Sequence, residues 1–581
     1  MLYPKLNVLD TSREMIDVFK GYNHNLRIGN GEFYEMKNLS SQYYPVLAPR
    51  PQRGLYAESG ENYGLISKDS LCYVDGEDFV INDYHVPMRL NSEPKTLISM
   101  GAYVIVMPDK KYVDTENFAT QTDFNIERIN TTTGDTTFTL CKLDSTEYGN
   151  VTEGNTAPEN PKNLDLWLDT SGETHVLKQY ASTTSLWTSI ATTYIKISST
   201  GIGVGIAEGD GVTISGILDT DLAALNNTMV VWARGDNYIV VVGMLDLKKT
   251  QAANKPITVA RRMPLMDFVI ESGNRLWGCR YGVALNGEVV NEIYASKLGD
   301  FKNWNCFASI STDSYVASVG TDGQFTGAIT HLGYPIFFKE NYMHKVYGSY
   351  PANYQIQTTA CRGVQKDCSK SLAIVNETLY YKARSGICAY DGSLPMEISS
   401  ALGDINYTNA VAGALNNKYY ISMMDEDEIY HLFVYDAAKG MWHREDNTHA
   451  LQFCANRGDL YYIDDKDKWI KSVKGSGEPE RTPIKWEAVT GIFGTDSPDK
   501  KYISRLDVRL LLSPGSTVTF YAEYDSSEVW EHLHTMVGTS LRSFAVPIRP
   551  KRCDHLRLRI VGQGDAKIYS ICKTIEQGSD I

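Results

Sequence analysis

Two closely spaced residue pairs near the C-terminus have the side-chain types that zinc prefers. His532 and His534 are separated by one residue, as are Cys553 and His555, and on a strand this spacing places both side chains of a pair on one face. Nothing in the sequence fixes the distance between the two pairs. We therefore interpret all four as partly exposed strand residues and predict no metal site.

The motifs of common enzyme and cofactor sites are missing from the sequence or stand in the wrong context. Gly201, Gly203 and Gly205 are not followed by the helix that a dinucleotide site requires. The sequence has no phosphate-binding loop, nucleophile elbow or zinc-protease helix. A pair of carboxylates is uninformative in a chain with 70 Asp and Glu residues. We predict no catalytic residues, no cofactor and no enzymatic activity.

Three aromatic residues, Trp167, Tyr180 and Trp187, lie close together in a stretch rich in Thr and Ser. This stretch resembles the small Trp-containing β modules of phage tail proteins and of some carbohydrate-binding modules. Rings on a surface can stack on a sugar, whereas rings in a very small domain form its core. We favour the core and keep glycan stacking as the alternative.

A run of four acidic residues is the second candidate site: Asp425, Glu426, Asp427 and Glu428. The simplest interpretation is a solvated hairpin tip. The alternative is that these side chains line an axial channel.

Composition limits the class of protein. The chain of 581 residues is 43% hydrophobic and 22% charged, which excludes global disorder. Its apolar runs fall short of the roughly 18–20 residues of a membrane helix, and Met1–Lys5 does not begin a secretory signal. The net charge of −14 argues against a protein that grips nucleic acid. The ten scattered cysteines, of which Cys361 and Cys368 are the closest pair, are interpreted as reduced and mostly buried.

Alternating and β-branched stretches dominate, so the chain is predicted to be mainly β. Helices are predicted only at Ser12–Tyr22, with Thr11 or Ser12 as the cap, and at Leu222–Asn226. Aromatic strands recur at intervals of about 40 residues, the size of one propeller blade. The marks are Trp277, Phe337, Tyr380, Tyr420 and Tyr461, with weaker units at Leu71–Tyr73 and Ala102–Val104.

This spacing predicts a β-propeller of about seven blades; stacked unrelated sandwiches are the alternative. Four regions follow. Residues 1–115 hold an N-terminal segment and the first blades, and 116–255 are an inserted small β domain rich in Thr and Ser. Residues 256–480 hold the remaining blades, and 481–581 are a C-terminal β-sandwich.

Several segments resemble phage tail nozzle and neck β-propeller proteins of short-tailed phages. They are Asn38–Ser41, Tyr44–Pro51 with Gly54, Gly273–Cys279 and Asn291–Trp304, while Tyr502–Leu506 and Pro550–His555 resemble a C-terminal appendage common in prophages. Asn274, Arg275, Leu276, Asp300, Phe301 and Trp304 are interpreted as blade architecture, in which Arg and Asp cross-link strands while Trp and Phe fill the space between sheets.

The resemblance implies a virion structural protein made in the host bacterial cytoplasm. It would form a homohexameric ring, a tail nozzle or neck channel below the portal and adaptor, through which phage DNA is retained and ejected without sequence-specific binding. An acidic lumen would leave DNA mobile. The alternative is a receptor- or glycan-binding tail component that uses Trp167, Tyr180 and Trp187 on a host surface glycan. A propeller glycosidase is a third option, disfavoured because repeated Ser-x-Asp-x-Gly-x-x-Trp turns are missing.

Overall fold

The structure is a computed structural model that describes residues 11–58, 61–246, 248–284, 287–494, 500–549 and 551–577. Met1–Lys5 and Pro550, which the sequence analysis used, lie outside these ranges. The described chain is mainly β, as predicted. Its helices are short 3-10 turns at Ser41–Tyr43, Ala223–Leu225, Pro351–Asn353, Ser369–Ser371 and Ser400–Leu402. Across the described ranges, no helix has the length and apolar character of a membrane span.

The N-terminal strands are short. They are β1 (Thr11–Ile16), β2 (Gly21–Tyr22), β3 (Glu32–Lys37), β4 (Leu39–Ser40), β5 (Ala48–Pro49) and β6 (Gly54–Ala57). A four-stranded sheet follows, with β7 (Asn62–Lys68), β8 (Ser70–Asp75), β9 (Asp78–Ile81) and β10 (Tyr84–Val86), and then a three-stranded sheet with β11 (Thr96–Met100), β12 (Tyr103–Met107) and β13 (Lys111–Asp114).

The next strands lie mostly in the predicted insertion. They are β14 (Arg128–Thr131), β15 (Thr136–Cys141), β16 (Val151–Gly154), β17 (Leu166–Asp169), β18 (Val176–Ala181), β19 (Leu186–Ser189), β20 (Tyr194–Ser198), β21 (Gly211–Ser215), β22 (Thr228–Val230), β23 (Ala233–Gly235), β24 (Tyr238–Val242), β25 (Lys249–Gln251) and β26 (Thr258–Arg261). They form three sheets, in the orders β14-β26-β21-β22, β23-β24-β20-β15-β25 and β16-β17-β18-β19. The first two sheets share one hydrophobic cluster that includes Phe138, Ile197 and Val259.

Regular four-stranded sheets resume after the insertion. The first three are β27 (Phe268–Ser272), β28 (Arg275–Val283), β29 (Val289–Ala295) and β30 (Tyr315–Ser318); β31 (Gly327–His331), β32 (Tyr334–Lys339), β33 (Tyr342–Tyr347) and β34 (Gln355–Ala360); and β35 (Ala373–Val375), β36 (Thr378–Ala383), β37 (Gly386–Tyr390) and β38 (Met396–Glu397).

Two further groups complete this region. One is β39 (Thr408–Leu415), β40 (Lys418–Met424), β41 (Tyr430–Asp436) and β42 (Met441–Arg444). The other is β43 (Ala450–Asn456), β44 (Asp459–Asp464), β45 (Ile470–Ser472) and β46 (Glu478–Pro479). The N-terminal strand β6 lies between β45 and β46 and so completes this last sheet.

The C-terminal strands are β47 (Lys485–Thr490), β48 (Lys501–Tyr524), β49 (Glu531–Val546), β50 (Leu556–Gln563) and β51 (Ala566–Gln577). They belong to a 12-stranded sheet in the order β1-β51-β48-β50-β47-β3-β2-β42-β41-β40-β39, with β49 on β48. Strands β47–β51 of the predicted C-terminal β-sandwich therefore share a sheet with N-terminal strands and with β39–β42.

The chain divides into two compact units. Unit 1 contains residues 1–95, 336–344 and 358–581, and unit 2 contains residues 96–335 and 345–357. Within unit 1, one cluster with Tyr420 and Phe453 joins the β39–β42 and β43–β46 sheets, and a second with Leu65 and Tyr461 joins β43–β46 to β7–β10. Within unit 2, a cluster with Ile105 and Leu276 joins β11–β13 to β27–β30.

The predicted aromatic marks occupy equivalent positions. Trp277, Phe337, Tyr380, Tyr420 and Tyr461 lie on β28, β32, β36, β40 and β44, each the second strand of its group, and all five are buried. The weaker marks at residues 71–73 and 102–104 fall on β8 and at the start of β12, which are also second strands.

Arg275 was predicted to cross-link strands, and it joins β28 to the segment between β29 and β30. Its guanidinium donates to the carbonyl oxygens of Ser296 at 2.7 Å, Asp313 at 2.5 Å and Ser311 at 2.9 Å. Phe301 and Trp304 are buried in the cluster that joins β11–β13 to β27–β30. Arg275 therefore acts within one sheet, whereas Phe301 and Trp304 fill the space between two sheets, as the sequence analysis predicted.

The predicted helix at Ser12–Tyr22 is wrong. Thr11–Ile16 is strand β1, which pairs antiparallel with Ile571–Glu576 of β51. An isolated helix of this length is marginal in water, so its cap and first-turn residues are easily overridden by a long partner strand. The second predicted helix, Leu222–Asn226, is a 3-10 turn at Ala223–Leu225.

The ten cysteines are thiols without a disulfide, and seven of them are buried, as predicted.

Candidate functional site

The three aromatic residues of the insertion lie on one face of the sheet β16–β19. Trp167 is paired directly with Lys178 across β17 and β18, and Tyr180 with Trp187 across β18 and β19. Directly opposed residues of an antiparallel pair point to the same side of a sheet, and so do residues two apart on one strand. Trp167, Asp169, Lys178, Tyr180 and Trp187 therefore share a face, which we call the aromatic face.

The rings of the aromatic face contact one another at an angle. The ring centroids of Trp167 and Trp187 are 5.5 Å apart with their planes at 70°, and those of Tyr180 and Trp187 are 5.3 Å apart at 57°. Edge-to-face contacts of this kind are favourable for aromatic quadrupoles. They hold Trp187 between the two other rings.

The three rings differ in their exposure to solvent. Trp167 is 7% exposed, its indole Nε1 donates to the Gly154 carbonyl oxygen at 2.9 Å, and the Lys178 ammonium lies 4.9 Å from its ring centroid. Trp167 is thus a core residue, which fits the interpretation that the sequence favoured. Tyr180 and Trp187 are half-buried, so part of each ring is open to solvent.

An ion pair lies beside the rings. The Nζ of Lys178 is 2.7 Å from a carboxylate oxygen of Asp169. Hydrogen bonds from Lys178 and Ser171 lower the pKa of Asp169 to about 2, so the side chain is a carboxylate at neutral pH. The aromatic face thus combines apolar ring surface with a fixed donor and a fixed acceptor, the combination that small-molecule sites use for orientation.

The acidic run forms the turn between β40 and β41. Asp425 accepts hydrogen bonds from the backbone N–H groups of Asp427 and Ile429, at 3.0 and 2.8 Å. Its other oxygen is 2.6 Å from Nε2 of His431. Glu426, Asp427 and Glu428 are exposed. The geometry is that of a solvated hairpin tip, and the channel-lining role stays a prediction.

One histidine of each pair with zinc-ligand chemistry has a different partner. His532 Nε2 is 3.0 Å from the Thr535 hydroxyl, and His555 contacts the Ser526 hydroxyl and the Asp554 carboxylate. Within the ranges that the structure describes, no group of three or more His, Cys, Asp or Glu side chains is placed to hold a metal ion.

The sequence analysis missed the cavities of unit 1 that described residues line, and two of them are large and polar. One, of about 560 Å³, includes Arg53, Asp446, Asp464, Trp469 and Lys471 in its wall. The other, of about 470 Å³, is lined in part by Ser41, Lys418, Asp436, Lys439 and Lys474. Each draws on segments hundreds of residues apart in sequence, so no local spacing could have revealed it.

No protein-family model matches the chain, and no curated protein sequence matches it. Among solved structures it is similar to an exo-β-1,3-galactanase from Phanerochaete chrysosporium with galactose, at 9% identity and a TM-score of 0.21, over 52% of this chain and 94% of that one. It is also similar to a glycoside hydrolase family 43 arabinoxylan arabinofuranohydrolase from Bacillus subtilis in complex with cellotetraose, at 6% identity and 0.16, over 52% and 94%. An acylaminoacyl peptidase from Pyrococcus horikoshii matches at 11% and 0.25, over 54% and 55%.

These neighbours correct two predictions. The predicted tail nozzle or neck channel and the predicted lack of enzymatic activity are both corrected, because these solved structures are glycoside hydrolases and a peptidase and none of them is a phage tail protein. The resemblance to tail proteins rested on residues such as Arg275 and Trp304, which are buried contacts within and between sheets. Such residues report how sheets are joined and not what the protein does. At these TM-scores the neighbours transfer no activity and no catalytic residue to this chain.

Proposed function

We propose that this chain is a glycan-binding protein and that the aromatic face of β16–β19 is its binding surface. The observation that carries the proposal is the shared face itself: two half-buried rings, Tyr180 and Trp187, lie beside the Lys178–Asp169 ion pair. The negative face of an aromatic ring attracts the polarised C–H bonds of a sugar. The ammonium and carboxylate donate to and accept from its hydroxyl groups.

The division of roles within the face follows from burial. Trp187 contacts both other rings and remains partly exposed, so it is the principal stacking residue, with Tyr180 beside it. Trp167 supports Trp187 from the core. The part of the predicted trio that touches sugar is therefore Tyr180 and Trp187.

A glycan array with the purified full chain, followed by calorimetric titration of the best ligand, tests this proposal. We expect Trp187→Ala and Tyr180→Ala to weaken binding at least tenfold, which corresponds to about 1.4 kcal/mol. The matched control is Trp232→Ala, since Trp232 is 41% exposed in the same inserted region but lies outside the aromatic face. Its affinity should equal that of the wild type.

Two results would overturn the proposal. One is an array on which the wild-type chain binds no glycan. The other is a glycan whose affinity is the same for wild type and for Trp187→Ala.

We also propose that the sheets bearing the repeated aromatic residues are blades of a β-propeller. Three features support this: the aromatic marks on second strands, the hydrophobic clusters that join successive sheets within each unit, and the completion of the β43–β46 sheet by the N-terminal strand β6. In a propeller, an N-terminal strand such as β6 that completes the sheet of the last blade would join the first blade to the last.

A further inference from the structure

A cavity of about 470 Å³ in unit 1 gathers positive charge. Lys418 begins β40, Lys439 lies in the turn between β41 and β42, and Lys474 follows β45. Three ammonium groups and one carboxylate, that of Asp436, line its wall. In a chain of net charge −14, this lysine cavity carries a local surplus of positive charge.

The hydrogen bonds of the lysines leave that surplus in place. Lys439 Nζ is 3.0 Å from Asp436 Oδ2, the oxygen that also accepts from the Ser41 hydroxyl at 2.5 Å. Lys418 donates to the Ser40 hydroxyl at 3.3 Å, and Lys474 donates to the Gly458 carbonyl oxygen at 2.8 Å. These last two partners are neutral, so Asp436 is the one carboxylate that these hydrogen bonds supply. Glu445 also acts on Lys418 through its charge, but it is already paired with Arg53 at 2.8 Å.

Partial burial makes the charge of Lys418 costly for the protein alone, whereas Lys439 and Lys474 are exposed. Burial lowers the pKa of the Lys418 ammonium; the carboxylates of Asp436 and Glu445 oppose this shift, and the charges of Lys439 and Lys474 add to it. An anion in the cavity would reverse this effect by charge-assisted hydrogen bonds.

The carboxylate supplies a second recognition element. Asp436 is 1% exposed, and within the described part of the chain its Oδ1 is a buried acceptor without a hydrogen-bond partner. A buried acceptor without a donor destabilises the folded protein. A ligand hydroxyl could supply the missing donor.

The cavity of about 560 Å³ in unit 1 lacks this surplus of positive charge. Its wall holds four cationic and six carboxylate side chains. Lys471 there is 2.6 Å from Asp464 and 2.7 Å from Asp467, and Arg53 is 2.8 Å from Glu445 and 2.9 Å from Asp446. Arg53 and Lys471 in that cavity are already neutralised by the protein, so of these two cavities the lysine cavity is the better suited to an anion.

We propose that the lysine cavity binds a small polyhydroxylated anion. Its phosphate or carboxylate group lies among Lys418, Lys439 and Lys474, and a hydroxyl group donates to Asp436 Oδ1. The volume falls within the range of about 300–1,000 Å³ typical of small-molecule sites. This site is independent of the glycan proposal, because its residues belong to unit 1 and the aromatic face belongs to unit 2.

Calorimetric titration of the full chain at low salt with glucose 6-phosphate, glucuronate and glucose tests the inference. We expect at least one of the two anions to bind at least tenfold more tightly than glucose, with an affinity that falls as NaCl rises. Whichever of the two anions binds more tightly identifies the oxyanion. Lys418→Gln should weaken that binding at least tenfold and Lys474→Gln at least threefold.

The matched control is Lys466→Gln, an exposed lysine on the wall of the other cavity, which should bind as the wild type does. Lys474 is exposed, so Lys474→Gln decides the matter even if Lys418→Gln fails to fold. Equal affinity for glucose and the anions, no binding of either anion, or wild-type affinity in both lysine variants would each overturn the inference.

Discussion

His443 is a buried histidine held neutral by its surroundings. It is 4% exposed, and burial together with the charges of Lys418 and Lys439 lowers its pKa to about 3. An unfolded chain binds a proton at this residue near pH 6.5. The folded state does not, so the free energy of unfolding should fall as the pH drops below about 6.5 towards 3.

The comparison of wild type with His443→Gln isolates this contribution. Between pH 6 and pH 5 we expect the wild type to lose about 1 kcal/mol more stability than the variant. Urea unfolding at both pH values measures the difference. Equal losses in the two proteins would show that His443 takes up its proton while folded.

Residue type was predictable from the sequence, whereas exposure was not. Trp167 and Trp187 have the same chemistry, yet one is enclosed beneath Lys178 and the other is half-buried. Arg275 was recognisable as a structural residue because its surrounding motif recurs in blade-like sheets. Lys418 and Lys474 gave no such signal, since their proximity depends on how β40 and β45 are brought together.

Among the elements, strand β6 is important for stability because it joins two other strands of its sheet. It lies between β45 and β46, and its first residue, Gly54, is packed against the backbone of Ser476. A Cβ atom at this position would collide with the Ser476 carbonyl oxygen, which is backbone and has no room to yield. Only glycine fits there without a shift of the strand.

We therefore expect Gly54→Ala to destabilise the chain by about 1–3 kcal/mol. Differential scanning calorimetry measures the effect as a lower unfolding temperature. Gly134→Ala is the control, because a Cβ atom there meets open space. If the two variants unfold at the same temperature, β6 does not close the sheet as described.

Strands were more predictable than helices in this chain. The aromatic marks located the second strand of each group because a partly polar aromatic suits a packed sheet surface. The predicted helix at Ser12–Tyr22 failed because its local signals compete with pairing to β51, a contact more than 500 residues away in sequence. Local propensity is a weak guide where such a partner exists.

At the scale of the whole molecule, charge is organised locally. The net charge of −14 agreed with an acidic channel for DNA, yet unit 1 holds a cavity with three lysines and one carboxylate. The net charge of a protein affects its solubility and its long-range attraction to ligands, but it does not show where a binding site lies. The ring of six copies and the virion location remain predictions, although the tail nozzle from which they were inferred is contradicted.

The two proposed binding sites belong to different units of the chain. The aromatic face belongs to unit 2 and the lysine cavity to unit 1. A defect in one site should therefore leave binding at the other unchanged. Variants of Trp187 and of Lys474, each titrated with both ligand classes, provide that cross-check.

The indole N–H signals of the full chain report directly on whether Trp187 stacks on a glycan. Nitrogen-15 labelling of its nine tryptophans, with assignment by Trp→Phe variants, allows each ring to be followed while the array-selected glycan is added. Trp486, which is 2% exposed and donates to the Gly564 carbonyl oxygen, is the internal reference. We predict that the Trp187 signal shifts in proportion to occupancy while that of Trp486 stays in place. A bound glycan that leaves the Trp187 signal unmoved would show that Trp187 does not stack on the sugar.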